Sequence, residues 1–316
     1  MKIPHTDIDV YPLCLGGNVF GWTADEAQSF AVLDAYAEAG GNFIDTADAY
    51  SSWVPGHVGG ESEGVIGRWM ASRKNRGSMI VATKVSRLKG LEGLAAATIK
   101  KGAEDSLRRL GVERIDLYYA HADDPNTPLE ETLGAFDALI KEGKVRAIAA
   151  SNYSAPRLAE ALAVSARNGL ARYVALQPHY NLVERAGYEA ELAPLCAREQ
   201  IACFPYFALA KGFLTGKYRP GTTVDSPRSA GASAYLDETG LRVLAVLDDV
   251  AKAHGTAVAA VALAWLKAQP TVVAPIASAR TPAQLADLLP MATLKLSGGD
   301  LERLTAASAV PAARGA

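Results

Sequence analysis

Ile115-Asp116-Leu117-Tyr118-Tyr119-Ala120-His121 and Val145-Arg146-Ala147-Ile148-Ala149-Ala150-Ser151 are short, largely apolar runs, and the segment between them decides the fold. In that segment Thr127-Pro128-Leu129-Glu130 supplies an N-cap, a proline at the first helical position and a glutamate that completes a capping box. Leu129, Leu133, Phe136 and Ile140 then recur at helical spacing as one apolar stripe, and Gly143 stops the helix. Strand, helix, strand makes a parallel β–α–β unit. Strands that are apolar on both faces belong to a sheet covered on both sides.

The same alternation extends in both directions. Further strands are expected at Leu13–Gly16, Asn42–Thr46, Met79–Val85, Tyr173–Gln177, Ile201–Tyr206 and Val272–Ile276. Thr23 with Glu26 reads as a capping box before Phe30, Leu33 and Ala37, and Ile99, Ala103 and Leu110 form a stripe ended by Gly111. Ser154 opens a helix that closes near Gly169, and Thr281-Pro282 opens the last crossover helix. Eight strands alternating with helices predict an α/β chain folded as a closed (β/α)8 TIM barrel, which leaves no sheet edge. No G-x-G-x-x-G follows a strand, which argues against a Rossmann domain. Residues 1–12 are expected to form a short hairpin across the bottom of the barrel. Ser51–Gly60 and Thr215–Thr239 are long loops expected at its C-terminal face, and residues 1–316 are read as a single domain.

Totals narrow the functional classes. The chain has 316 residues, a formal net charge of -2 and 21% charged residues. There is no basic field for a nucleic-acid backbone and no apolar run of membrane-spanning length. Met1-Lys2-Ile3-Pro4-His5 lacks the apolar core of a signal peptide. The three cysteines, Cys14, Cys196 and Cys203, have no metal-type spacing and read as reduced residues of a cytoplasmic protein.

Barrel active sites lie at the C-terminal ends of the strands. Here nearly every strand runs into a reactive or strongly hydrogen-bonding residue: Asp45 with Tyr50 close behind, Lys84, His121, Ser151-Asn152, Gln177, Tyr206, and Ser278 with Arg280. Asp, Tyr, Lys and His on one rim suit carbonyl reduction. An ammonium beside a phenol favours the phenolate and is expected to lower the Tyr50 pKa; Asp45 would hold Lys84 charged, and His121 would orient the carbonyl oxygen. No metal is needed. The hydride must come from a cofactor, since no side chain supplies one. Trp22, Trp53 and His57, in loops at the mouth, are candidate walls of a substrate pocket.

At these residues the chain resembles the aldo-keto reductase superfamily. The stretch Gly40-Gly41-Asn42-Phe43-Ile44-Asp45-Thr46-Ala47-Asp48-Ala49-Tyr50 is similar to its first signature, continued by Gly60-Glu61-Ser62-Glu63. Ala82-Thr83-Lys84, Asp116–His121, Ser151-Asn152-Tyr153-Ser154, Gln177–Leu182, Gly212–Tyr218 and Pro275–Arg280 follow in the family's order. The similarity runs from about Leu15 to beyond Leu288, and it is strongest to the bacterial and potassium-channel-β-subunit-like branches. It implies a catalytic tetrad of Asp45, Tyr50, Lys84 and His121, with Tyr50 as general acid–base acting on a small carbonyl or alcohol. It also implies NADP(H) extended across the mouth, with NAD(H) as the alternative. Ser151, Asn152 and Gln177 would hold the carboxamide and Tyr206 would stack on the nicotinamide. Backbone from Leu209 through Gly212 to Leu214, with Lys217, would meet the pyrophosphate; Arg280 would face the 2′-phosphate and Gln284 the adenine end, and Ser278 is a further cofactor-binding position.

Gln284 has a second reading, since Thr281-Pro282-Ala283-Gln284 is itself a capping box. The chain departs from the family at Phe207-Ala208 in place of Ser-Pro, Ser278 in place of Gly, and Asp287-Leu288 in place of Glu-Asn. These departures bear on cofactor affinity and on the preference for NADP(H). Two other readings stand beside the reductase: an NADPH-binding redox-sensing subunit with slow catalysis, and a Schiff-base enzyme with Lys84 as nucleophile.

Overall fold

In the computed structural model, which describes residues 1–309, the parallel strands are β1 (Cys14–Gly16), β2 (Phe43–Asp45), β3 (Ile80–Val85), β4 (Ile115–Ala120), β5 (Val145–Ser151), β6 (Tyr173–Gln177), β7 (Ala202–Cys203) and β8 (Ile276–Ala277). The tail 310–316, part of the domain expected from sequence, lies outside the described residues. The strands pair in the order β8-β1-β2-β3-β4-β5-β6-β7, every pair parallel. Backbone bonds from Cys203 N–H to the Thr271 carbonyl (2.8 Å), Val273 N–H to Cys203 (3.0 Å) and Ile276 N–H to Pro205 (2.9 Å) join the two ends of this order. The sheet thus curls into the (β/α)8 barrel.

Two strands differ from expectation because of proline. Ile201–Tyr206 pairs as a regular strand only over Ala202–Cys203. Pro205 has no N–H to give, although Phe204 and Tyr206 on either side still donate to Leu176 and Pro178. The eighth strand is displaced: Val272 bridges Cys203, then Pro275 intervenes, and the ladder to β1 forms at Ile276–Ala277 rather than over Val272–Ile276. Two caps also moved. Asp25 with Gln28, not Thr23 with Glu26, makes the capping box of the first helix (Glu26–Glu38). Pro128 occupies the N-cap of helix Leu129–Lys141, while Thr127 turns its hydroxyl to Asp124 Oδ2 at 2.7 Å. Ser154 and Thr281 cap as expected, each accepting from the backbone N–H three residues on.

Side chains alternate along a strand, so every second residue faces the barrel interior. Phe43, Ala82, Leu117, Tyr119, Ala149, Ala175 and Phe204 fill that interior. The intervening residues, such as Ile44, Val81, Tyr118, Ile148 and Leu176, pack outward against the helices. Below, the first residues form the expected hairpin: Lys2 bridges Asp9 antiparallel, and Ile3, Ile8 and Val10 are buried against the interior set. Burial of each such side chain contributes roughly 1.5–3 kcal/mol, so the hairpin is a hydrophobic plug. Continuing each inward row one step up from this core gives Asp45, Lys84, His121, Ser151, Gln177, Tyr206 and Ser278. Strand periodicity alone therefore gathers the polar residues at one mouth. Among the described residues no helix is long and apolar enough to cross a membrane.

Candidate active site

The floor of the mouth is a buried ion pair. Lys84, fully buried, donates to Asp45 Oδ2 at 2.7 Å, to the Thr46 carbonyl oxygen at 2.8 Å and to the Tyr50 hydroxyl at 2.9 Å. An ammonium has three N–H donors, and all three are used. Tyr50 in turn donates to Asp45 Oδ2 at 3.3 Å, and Gln177 Nε2 donates to the other carboxylate oxygen at 2.9 Å. Asp45 is thus held by an ammonium, an amide and a phenol, the kind of full satisfaction a buried charge requires. Burial pulls on the Lys84 ammonium, but Asp45 and Tyr50 outweigh it and its pKa lies above the ordinary amine value. A lysine so charged and so fully bonded is a poor nucleophile, which removes the main support for Schiff-base chemistry.

Tyr50 does not titrate in the direction expected from sequence. Burial raises its pKa more than Lys84 lowers it, with Asp45 adding to the rise, and the phenol is pushed up to about 12. It is therefore fully protonated near neutrality and ready to donate. The His121 ring lies 6.1 Å from the Tyr50 ring. Burial, then the positive charges of Lys84 and Arg87, hold His121 well below the ordinary histidine value, so the imidazole is neutral.

Around this floor lies a cleft of about 580 Å³. Of the residues read as catalytic, Asp45, Tyr50 and His121 line it, while Lys84 sits behind Tyr50. Ser151, Asn152, Gln177, Tyr206, Leu209, Gly212, Lys217, Ser278, Arg280 and Gln284 line it too. Leu214 instead packs in the core. Trp22 lines the cleft. Trp53 stands behind it, 50% exposed and edge-on to both Trp22 (5.4 Å) and Tyr50 (6.3 Å). His57 is outside the lining, with its Nδ1 buried and unbonded.

Several of these side chains are locked by their neighbours. Tyr206 donates to Asn152 Oδ1 at 2.9 Å and stacks on His179, planes 16° apart, while Asn152 donates to the His121 carbonyl at 2.8 Å. Gln177 spends its amide N–H on Asp45 and so acts first as an anchor of the ion pair. Gln284 accepts from the Arg280 N–H at 2.9 Å, one residue upstream of a strict capping box. Ser278 donates to Asn18 at 2.9 Å and fits only because its neighbour is Gly16, where a β-carbon would lie 2.6 Å from its hydroxyl. The turn after Tyr206 is strained: Phe207, Ala210 and Lys211 have φ of 51°, 47° and 58°. Left-handed non-glycine residues of this kind cluster where backbone is shaped for a ligand.

Sequence reasoning passed over Asn18, Arg87, Lys211 and Arg228, all of which line the cleft. Arg87 follows Lys84 by three positions and could have been found as part of the loop after its strand. Arg228 lies in a segment with no periodicity to read.

The Aldo/keto reductase family model matches residues 12–309. The chain is similar to an aryl-alcohol dehydrogenase, GME11368, of Pestalotiopsis microspora, at 31% identity over 83% of this chain and 70% of that protein. It is 34% identical to the norsolorinic acid reductase stcV of Emericella nidulans, over 83% of this chain and 69% of that protein. Protein tas of Escherichia coli is 31% identical over 84% of each chain. A match through almost the whole barrel, including every strand that carries a residue of the ion-paired floor, makes this chain a member of the aldo/keto reductase family of oxidoreductases.

Proposed function

We propose that the chain reduces an aldehyde or ketone to the alcohol with NADP(H), or runs the reverse reaction, using Tyr50 as general acid–base. The observation that carries the reading is the three-way bonding of Lys84 to Asp45, Thr46 and Tyr50 at the cleft floor. The donor set suits a phosphorylated dinucleotide: Lys217 and Arg280 line the cleft and make no ion pair among the described residues. Tyr206 offers a fixed ring at the other end. Lys217, Arg280 and the strained Phe207–Gly212 backbone would hold the phosphates, Ser278 and Gln284 would flank the adenosine end, and Ser151 and Asn152 would hold the carboxamide. When bound, the cofactor supplies the hydride.

The chain's own residues do the rest. His121, neutral, donates a hydrogen bond to the carbonyl oxygen and orients it. As the carbonyl carbon gains the hydride, Tyr50 gives its proton to the oxygen. The phenolate left behind stays against Lys84 until water in the open cleft returns a proton, and Asp45 keeps the ammonium charged throughout. The aromatic wall of Trp22 and Tyr50, backed edge-on by Trp53, favours a planar, aromatic carbonyl substrate, in keeping with the aryl alcohol and norsolorinic acid named for the two fungal relatives. An assembled proton donor also favours catalysis over a purely sensing role. Fluorescence titration with NADPH and NADH, followed by a panel of aromatic and aliphatic aldehydes with the tighter one, tests the reading. Tight NADPH binding with no turnover across the panel would turn it towards the sensing subunit.

A further inference from the structure

Tyr206 has a second ring behind it. Beyond β6 and β7 the two segments still run side by side: the Tyr206 N–H donates to the Pro178 carbonyl oxygen at 2.9 Å, and His179 pairs with Tyr206 as a parallel bridge. Paired residues on neighbouring extended segments project to the same face, so their side chains lie against each other. Here the rings stack, 16° apart, with centroids 5.4 Å from one another. Tyr206 lines the cleft and His179 does not. The imidazole therefore covers the face of the phenol turned away from the cleft, and the opposite face is left for a ligand. His179 Nε2 is buried and has no hydrogen-bond partner among the described residues. A flat apolar ring would fill this place without that loss; what an imidazole adds is the capacity to take up a proton. Two charges act on it. Glu184, which accepts from the Tyr235 hydroxyl at 3.2 Å, favours the imidazolium, while Lys211, over the Phe207 ring at 5.7 Å, opposes it. Burial is the largest influence, and with Lys211 it holds His179 below the ordinary histidine value. Tyr206 remains a phenol, its pKa raised by burial against the pull of Arg87, and donates to Asn152.

We propose that His179 is a positioning residue that acts through Tyr206 and sets how tightly the cleft holds the oxidised cofactor relative to the reduced one. The inference rests on the reductase reading, with the nicotinamide on the open face of Tyr206. The two redox forms differ there by one positive charge, since the oxidised ring is a cation and the reduced ring is neutral. A neutral His179 leaves the π-face of Tyr206 free to attract that cation. A protonated His179 draws on the same π electrons from behind and sets a like charge on the far side of the phenol. Mild acid thus loosens the oxidised form and leaves the reduced form nearly untouched. In carbonyl reduction the oxidised form is the spent cofactor, so protonation of His179 favours its release.

The test is quenching of tryptophan fluorescence by NADP+ and by NADPH at pH 7.5 and pH 5, with Trp22 in the cleft as reporter. The readout is the ratio of the two dissociation constants. Phosphate titration is common to both forms and cancels, as does any loosening of the fold that weakens both alike. On acidification the wild-type ratio is expected to move in favour of NADPH by about threefold or more, the scale of two like charges either side of a ring in a partly solvated site. His179→Phe keeps a flat ring behind Tyr206 but takes no proton, so its ratio should be the same at both pH values. Binding and protonation are reciprocal, so imidazole 15N resonances of the wild type should give His179 a lower pKa in the NADP+ complex than in the NADPH complex, by the same factor. That measurement decides alone should His179→Phe fail to fold. A wild-type ratio that does not move, a ratio that moves equally in His179→Phe, or one His179 pKa in both complexes overturns the proposal and leaves the reductase reading standing. Failure of both cofactor forms to bind at pH 7.5 sinks the reductase reading and this inference with it.

Discussion

Replacing Lys84 with methionine removes one charge of the cleft floor while nearly conserving volume. In the native protein the ammonium answers Asp45, the Thr46 carbonyl and Tyr50 at 2.7, 2.8 and 2.9 Å. Without it, Asp45 is a buried carboxylate left with Gln177 and Tyr50 alone. Breaking a buried pair by removing one partner costs about 3–5 kcal/mol. For a chain of this size that corresponds to a Tm lower by roughly 5–8 °C. Adding Asp45→Asn neutralises the stranded charge and should recover most of the loss, although neither variant will turn over. The native pair also sets a pH sign. The folded pKa of Lys84 is raised, so its contribution to stability is complete below the unfolded amine value of 10.5 and fades only as pH climbs through the higher folded value. Lys84→Met should therefore lie furthest below wild type through neutral and mildly alkaline pH, the gap narrowing only as pH climbs through the raised folded value. Urea unfolding of wild type, both single variants and the double variant at two pH values reads the coupling directly. Strict additivity, with the double variant no more stable than Lys84→Met, would refute the reasoning.

Other consequences follow from particular contacts. Because Tyr50 is pushed up to about 12 and His121 is held well below 6.5, the rate of reduction should stay flat from about pH 6 to 9. Alcohol oxidation needs the phenolate, whose population rises about 100-fold over two pH units below its pKa; steady-state pH profiles in both directions check this, and a basic limb near neutrality in reduction would contradict it. Arg280→Ala should weaken NADPH by roughly tenfold or more and NADH far less, since only one of them carries the extra phosphate; equal losses in titration would remove Arg280 from that role. Gly67 lets helix Glu61–Arg73 lie against the end of helix Ala96–Leu110, where a β-carbon would meet the Arg109 and Leu110 carbonyl oxygens at 2.6 Å. Gly67→Ala gains about 1 kcal/mol of helix propensity but costs about 1–3 kcal/mol in overpacking, so urea unfolding should show a net loss; a stabilised variant would contradict the contact.

The sequence made the barrel readable wherever apolar runs were uninterrupted, as at Val145–Ser151 and Tyr173–Gln177, which form over the expected residues. It misled where proline cut the ladder, because Pro205 and Pro275 leave extended backbone that pairs only in part. The gathering of Asp45, Lys84 and His121 at one mouth was legible for a physical reason: an inward position one step beyond a packed barrel interior has nowhere to go but the mouth, so a polar residue there announces itself, whereas Tyr50 reaches it from the loop after β2. The sign of the Tyr50 shift was not legible. A nearby ammonium is visible in sequence as a strand-end lysine, but the depth of burial that outweighs it depends on how every surrounding segment packs. Arg228 escaped because the segment around it follows no strand or helix period; only its seat on Trp22 gives it meaning.

The central claim is that Tyr50, held against Lys84, gives up the proton that completes reduction. Its most direct test is rapid mixing of NADPH-loaded wild type and Tyr50→Phe with an aromatic aldehyde, following the loss of reduced-nicotinamide absorbance within a single turnover. The account predicts loss of turnover by several orders of magnitude in Tyr50→Phe, with NADPH affinity and thermal unfolding close to wild type. Hydride transfer in Tyr50→Phe at the wild-type rate would contradict it.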